Sequence, residues 1–135
     1  MPALQPTNEQ MTAFAKTGTD GPIVMLNLLK FRDRATYKAD DPEHGDDISG
    51  EEAYNRYSAA LEAFTGDPSI GLKLLYTGQS ERFLIGEGDW DRVMLVRYPS
   101  RQHMLTMMRD PRYQLAHRHR EAGLKHQDLI ETHAF

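Results

Sequence analysis

The sequence has no cysteine and no long hydrophobic run. Without cysteine there are no disulfides, thiolate nucleophiles or cysteine ligands for zinc, which suits a reducing compartment. The N-terminus lacks a basic segment followed by an apolar one, so no signal peptide is expected. The longest apolar stretch, residues 23–29, contains Asn27 and is far too short to cross a membrane. We therefore expect a cytoplasmic protein with no membrane partner.

An excess of positive charge is also missing. The 135 residues carry a formal charge of −4, so no overall basic field would attract nucleic acid. The segment Gly86-Glu87-Gly88 lacks the third glycine and the following helix of a dinucleotide site, and no nucleophilic triad pattern occurs. We expect no nucleic-acid partner and no bound cofactor. The length fits one domain with a real core.

Two capping signals predict helices in the first half of the chain. Thr7 is followed three residues later by glutamine, which is a capping box and predicts a helix over 7–17. Ser49 and Glu52 form a second capping box, followed by apolar residues on one helical face. This second helix is predicted to end at Gly66.

A strand and a long loop are predicted between these helices. Residues 23–31 are apolar on both alternating faces, which is typical of a central strand buried on both sides. Residues 32–48 are polar and rich in turn formers, which predicts a long loop that is either functional or mobile.

Strand patterns alternate with turn formers in the next part of the chain. Residues 72–77 and 82–85 predict a strand that is broken at 78–80. Glycines at 86–89 indicate a turn into another strand over 92–98.

The last third of the chain predicts two helical segments and a strand. Ser100 fits an N-cap, and Asp110-Pro111 fits the N-cap and first residue of a helix that ends near Gly123. Residues 126–133 fit the final strand. After the first helix, the order is therefore βαββαβ.

This order predicts an α+β, ferredoxin-like antiparallel sheet with its helices on one face. Residues 1–21 are an N-terminal helical extension, and residues 22–135 are the domain. Both β-α-β crossovers are right-handed, so both helices cover the same face of the sheet. The other face would expose an apolar surface that monomers rarely tolerate. We therefore expect a homodimer that pairs through the open sheet face.

The alternation along the first strand predicts which side chains face the helices. A face that packs against helices should be aliphatic, so Val24, Leu26 and Leu28 are predicted to point to the helices. Asn27 would then point into the dimer interior, and by the same logic so would Arg97. Because their strands are antiparallel neighbours, Asn27 and Arg97 are expected to lie within a diagonal of each other.

Four residues are candidates for binding a small ligand. Asn27 and Arg97 in apolar strands fit a clamp for a carbonyl or carboxylate, because buried polar groups need partners. Tyr54 and Tyr57 lie one helical turn apart, so their hydroxyls are expected to converge. The structural alternatives are an ion pair of Arg97 with Glu131 and tyrosines that only pack in the core.

The histidine-rich segment His117-Arg118-His119-Arg120-Glu121 does not predict a metal site. Residues two apart face different sides of a helix, so only His117 and Glu121 share a face. No His-Glu-x-x-His motif or calcium-loop pattern occurs. His117 is an outside candidate for proton transfer near neutral pH, and a solvated charged helix is the alternative.

Three motifs, in this order and spacing, resemble the family catalogued as domain of unknown function 1330. They are residues 24–31 (VMLNLLKF), Tyr54-x-x-Tyr57 and residues 90–101 (WDRVMLVRYPSR). The resemblance implies a dimeric α/β barrel, in a superfamily that includes cofactor-free monooxygenases, lactone isomerases and haem-dependent chlorite-degrading enzymes. It implies no particular reaction.

Two functions remain open. The first is a homodimer that binds a small organic molecule; as a cofactor-independent enzyme, which stays open, it would act on a carbonyl or carboxylate compound. The second is a non-catalytic interaction module whose interior is filled by side chains. An open, polar-lined cavity would favour the first, and a packed interior the second.

Overall fold

The computed structural model describes residues 3–16 and 21–135. In chain order the elements are α1 (Asn8–Lys16), β1 (Ile23–Phe31), α2 (Gly50–Leu61), a 3₁₀ turn (Glu62–Phe64), β2 (Lys73–Gln79), β3 (Arg92–Tyr98), α3 (Arg101–Arg109), α4 (Pro111–Gly123) and β4 (Leu124–Thr132). The predicted α+β order is confirmed. No helix in the described part of the chain is long and apolar enough to span a membrane.

The helices begin where their capping residues predict. Thr7 Oγ1 accepts from the Gln10 N–H, and the Gln10 side chain accepts from the Thr7 N–H at 2.8 Å. The side chains of Ser49, Ser100 and Asp110 accept a backbone N–H in the first turn of α2, α3 and α4, respectively. These bonds satisfy N–H groups that have no partner inside a helix. Residue 17, the predicted end of the first helix, lies outside the described residues.

The four strands form one open antiparallel sheet in the order β2-β3-β1-β4. The predicted strand segment at 82–85 is wrong. Ser80 N–H donates to the Asp91 carbonyl and closes the hairpin, so the chain leaves the sheet after Gln79. The apolar run at 82–85 has no strand to pair with, and Leu84 and Ile85 are each 91% exposed. Residues 80–91 are therefore a loop.

The predicted faces of β1 are reversed. The side that faces the helices carries Ile23, Met25, Asn27, Leu29 and Phe31, all buried. Val24, Leu26 and Leu28 are only half-buried and lie on the open face. Alternation could not distinguish two apolar faces, and the assumption that the helix side excludes polar groups fails because Asn27 has hydrogen-bond partners there.

The same reversal separates Asn27 from Arg97. Arg97 pairs with Val24 across β1 and β3, whereas Asn27 pairs with Met94. Paired residues share a face of the sheet, so Arg97 lies on the open face and Asn27 on the helix face. The prediction that these two side chains lie close together is wrong.

The core has two main clusters under the inner face of the sheet. One packs β1 and β3 against α3 and the 3₁₀ turn and includes Ile23, Met25, Phe64 and Met107. The other packs β1 against α2 and α4 and includes Leu29, Phe31, Tyr54, Tyr57 and Ala116. Together they fix the positions of α2 and α4, the two helices that carry most of the polar side chains on the inner side.

The loop at residues 32–48 folds back on α4. Both carboxylate oxygens of Glu43 accept hydrogen bonds from Arg118, one from Nε at 2.6 Å and one from Nη2 at 2.9 Å. This contact lowers the pKa of Glu43 from 4.5 to about 2. Tyr37 is buried, and its hydroxyl lies 2.6 Å from Nδ1 of His119. The loop is therefore held by several polar contacts across residues distant in sequence.

Candidate functional site

A cavity of about 910 Å³ lies between the inner face of the sheet and the helices. Much of its wall is apolar and includes Met25, Met94, Val96, Tyr98, Met104 and Met107. The N-terminal segment forms another wall, with residues from Ala3 to Phe14. A largely apolar cleft with a few polar groups is the usual form of a small-molecule site.

A chain of polar side chains crosses one wall of this cavity. Arg120 Nη2 donates to Gln127 Oε1 at 2.6 Å, and Gln127 Nε2 donates to Asn27 Oδ1 at 3.0 Å. Asn27 Nδ2 in turn donates to the Met25 carbonyl at 3.2 Å. Asn27 is 9% exposed and Gln127 is 7% exposed. Because each amide is fixed on both sides, the chain holds polar atoms in set orientations next to an apolar space.

Two tyrosines from α2 line the same cavity and contact each other. The ring centroids of Tyr54 and Tyr57 are 5.3 Å apart. The Tyr57 hydroxyl donates to the Tyr113 hydroxyl at 3.1 Å, while the Tyr54 hydroxyl donates to the Met94 sulfur at 3.8 Å. Burial raises the pKa of Tyr54 to about 12 and that of Tyr57 well above its usual value. Both hydroxyls therefore stay protonated, and Tyr54, bonded to a weak acceptor, can donate to a ligand oxygen.

His117 lines the cavity from α4 and is oriented by a carboxylate. Its Nδ1 lies 2.7 Å from Glu121 Oε1, and its Nε2 lies 3.4 Å from Arg120 Nη1. Burial lowers the pKa of His117 from 6.5 and the charge of Arg120 lowers it further, while the bond to Glu121 opposes the shift. A neutral ring that donates from Nδ1 to Glu121 keeps Nε2 as an acceptor. Arg120 Nη1 donates to this nitrogen, so His117 can receive a proton there once Arg120 turns to another acceptor.

His119 faces the other way and takes no part in this site. It is buried against the loop at 32–48, where Nδ1 meets the Tyr37 hydroxyl. Within residues 3–16 and 21–135, no group of three His, Asp or Glu side chains is arranged to hold a metal ion. The His117–Glu121 pair is the face-sharing pair that the helical spacing predicts.

Four of the five predicted site residues line the one cavity: Asn27, Tyr54, Tyr57 and His117. Arg97 does not, and its guanidinium makes no hydrogen bond or ion pair with the described residues. The proposed alternative partner of Arg97 is also wrong, since Glu131 binds Arg101 through two bonds of 2.5 and 3.1 Å.

Sequence reasoning missed Arg120 and Gln127. Arg120 lies three residues after His117, so helical spacing places both on one side of α4 and could have identified it. Gln127 pairs with Leu29, one diagonal from Asn27 on the same face of the sheet. Only the register of β4 against β1 reveals that contact, and the sequence does not give this register.

Comparisons with known proteins agree with this architecture. The model of the family described as Domain of unknown function (DUF1330) matches residues 44–131. The crystal structure of methylated RPA0582 protein is 35% identical, with a TM-score of 0.87 over 100% of this chain and 97% of that chain. A second structure, of RPA0582 as a protein of unknown function from Rhodopseudomonas palustris, is 33% identical, with a TM-score of 0.83 over 100% and 98% of the two chains.

A more distant structure shows the same fold class. It is described as a dimeric protein of unknown function with a ferredoxin-like fold, from Bacteroides fragilis NCTC 9343. It is 14% identical, with a TM-score of 0.53 over 83% of this chain and 95% of that chain. No curated protein matches the sequence. The ferredoxin-like arrangement predicted from the order of elements is confirmed.

Proposed function

We propose that this protein, which belongs to the family Domain of unknown function (DUF1330), binds a small organic carbonyl or carboxylate compound between its sheet and its helices. The observation that carries the proposal is a cavity of about 910 Å³ bordered by the hydrogen-bonded chain Arg120, Gln127 and Asn27. A non-catalytic module with a filled interior would have no such space, so the cavity favours a binding protein.

The lining gives each part of a ligand a partner. The methionine and tyrosine side chains offer apolar contact, and Tyr54 offers a hydroxyl donor with only a weak partner of its own. Asn27 accepts a hydrogen bond from the Gln127 amide, and Tyr57 donates to the Tyr113 hydroxyl, so both residues fix a neighbouring side chain of the site. Arg97 is not part of this proposed pocket, because it lies on the opposite face of the sheet.

The proposal includes a homodimer formed through the open face of the sheet. This face carries Val24, Leu26 and Leu28 of β1, next to Leu95 of β3 and Ile130 of β4. Two such faces packed together would remove their apolar side chains from water and complete a dimeric α/β barrel. The ferredoxin-like protein from Bacteroides fragilis, which is described as dimeric, supports this assembly.

A second candidate function is proton transfer without a cofactor. It is favoured by His117, whose Nδ1 is held by Glu121 while Nε2 faces Arg120 at the cavity wall. A neutral imidazole fixed by a carboxylate is a common general base. A bound carbonyl compound with an acidic C–H bond would be the substrate class that this base can act on.

A neutral fluorescent dye tests the binding proposal. Ser58 lines the cavity from α2, and Ala59 is its exposed neighbour outside the lining. We expect 1-aminoanthracene to bind the wild type with enhanced fluorescence, and Ser58→Phe to weaken binding about tenfold because the ring occupies cavity space. Ala59→Phe is the matched control and should bind as the wild type does.

Thermal unfolding of each variant must show that the fold is intact. The proposal is wrong if the folded wild type does not bind the dye, or if Ser58→Phe and Ala59→Phe bind it equally well.

A further inference from the structure

Arg120 has only neutral partners among the described residues, in contrast to Arg101 and Arg118. Its Nη2 donates to the Leu4 carbonyl at 2.5 Å and to Gln127 Oε1 at 2.6 Å, and its Nη1 lies 3.4 Å from His117 Nε2. No carboxylate of the described residues forms an ion pair with it. The guanidinium is therefore a fixed positive charge that nothing in this part of the chain neutralises.

Neighbouring arginines show what structural pairing looks like in this protein. Arg118, two residues before Arg120, donates to both carboxylate oxygens of Glu43. Arg101 binds Glu131 in the same bidentate way at the start of α3. A carboxylate neutralises both of these arginines, whereas no carboxylate of the described residues pairs with Arg120.

The position of Arg120 makes its charge available to a ligand. Among the described residues that line the cavity, it is the one arginine or lysine. A charge next to an apolar space is poorly solvated, so an anion that binds there recovers a strong, charge-assisted interaction. The lining also contains the carboxylates of Glu62, Asp128 and Glu131, none of which forms an ion pair with Arg120. One cation among these carboxylates matches a ligand with no more than one negative charge, and the apolar wall matches an aliphatic or aromatic body.

The contact with Leu4 indicates that an oxygen acceptor fits beside this guanidinium. The Leu4 carbonyl oxygen lies at charge-assisted hydrogen-bond distance from Nη2. A carboxylate oxygen has a similar size and accepts from the same direction, so it can take the place of this carbonyl. Leu4 belongs to the N-terminal wall of the cavity, so a ligand carboxylate that replaces this carbonyl would displace that wall beside Arg120.

We infer that Arg120 is the anchor for the carboxylate of a singly charged organic acid whose apolar body lies along the methionine and tyrosine wall. This inference rests on the proposed function, and it narrows the ligand class from carbonyl or carboxylate compounds to monocarboxylates. It also assigns the role predicted for Arg97 to a different arginine on a different element.

Octanoate and octanamide provide the test, because they share a tail and differ in charge. Isothermal titration calorimetry at low salt should show octanoate binding to the wild type at least tenfold more tightly than octanamide. Arg120→Met should weaken octanoate binding at least tenfold and leave octanamide within about twofold. The control is Arg109→Met, which removes an exposed positive charge on α3 away from the cavity and should change neither affinity.

Four outcomes would overturn the inference. Equal binding of octanoate and octanamide to the wild type would do so without any variant, so the result does not depend on whether Arg120→Met folds. Unchanged octanoate binding in folded Arg120→Met would do so as well. A wild type that binds 1-aminoanthracene but not octanoate would overturn the inference and leave the proposed function standing, whereas failure to bind either probe would remove both.

Discussion

The close approach of α2 and α4 at two glycines leads to a prediction that opposes helix propensity. A Cβ atom added at Gly123 would lie 2.4 Å from the Gly50 carbonyl oxygen and 2.9 Å from the Tyr54 amide nitrogen. Both are backbone atoms, which cannot rotate away as a side chain can. The change Gly123→Ala therefore forces the two helices apart, although alanine is the better helix former.

The expected size of this effect follows from the two opposing terms. Alanine in place of glycine within a helix normally stabilises a protein by about 1 kcal/mol. The added methyl group at Gly123 is about 1 Å closer to the Gly50 oxygen than ordinary contact allows. Overpacking of this kind costs about 1–3 kcal/mol or more, and here the rigid backbone puts it at the upper end. We expect a net loss of about 2 kcal/mol, or a fall in Tm of about 8 °C for a chain of this size.

Urea and thermal unfolding at one fixed protein concentration measure this loss, since association would make stability depend on concentration. Gly66→Ala is the matched control, because a Cβ there meets no atom within 4 Å. It should change stability by less than about 0.5 kcal/mol. If Gly123→Ala proves as stable as the wild type, or more stable, then α2 and α4 do not approach each other as described.

Two further predictions concern the dimer and the histidine. Leu26→Lys places a charge at the centre of the open sheet face in both copies, and we expect sedimentation equilibrium to show about a thousandfold weaker association. Leu115→Lys, at an exposed site on α4, should leave association unchanged, and a wild type that is monomeric at tens of micromolar would refute the dimer. For His117, NMR titration should give a pKa below 6.5 that falls further in Glu121→Gln and rises in Arg120→Met. Because the folded pKa is lowered, folding stability should decline as the pH falls below 6.5; a pKa above 6.5 would contradict the buried, neutral ring.

The order of elements could be predicted because its signals are local. The capping residues Thr7, Ser49, Ser100 and Asp110 each begin a helix where the sequence indicates, since a cap involves only the next three residues. The failed strand at 82–85 has an equally local apolar pattern. A strand, however, also needs a free edge to pair with, and β3 is already paired with β2 up to Gln79.

The faces of β1 could not be predicted, because they depend on what lies opposite each one. Both faces are apolar, and Asn27 is the one polar residue in the interior of the strand, because Lys30 lies at its end. A helix-packing face is expected to exclude a polar residue, but the inner side of the sheet contains a cavity and two partners for the Asn27 amide, the Gln127 side chain and the Met25 carbonyl. A polar residue in an apolar strand therefore indicates incomplete packing next to it, and incomplete packing is found on the helix side here.

The same reasoning explains why the sequence pointed to Arg97 and not to Arg120, which lines the cavity. Arg97 stands out because its neighbours in β3 are apolar, yet a half-exposed sheet face can hold a long cationic side chain that has no hydrogen bond or ion pair with the described residues. Arg120 is inconspicuous among the charged residues of α4, yet it contacts Gln127 and His117 at the cavity wall. The polarity of neighbouring residues does not determine which way a side chain points. In a helix, the direction depends on the position of the residue around the helix axis. Arg120 lies three residues after His117, so helical spacing alone places this arginine beside the candidate base.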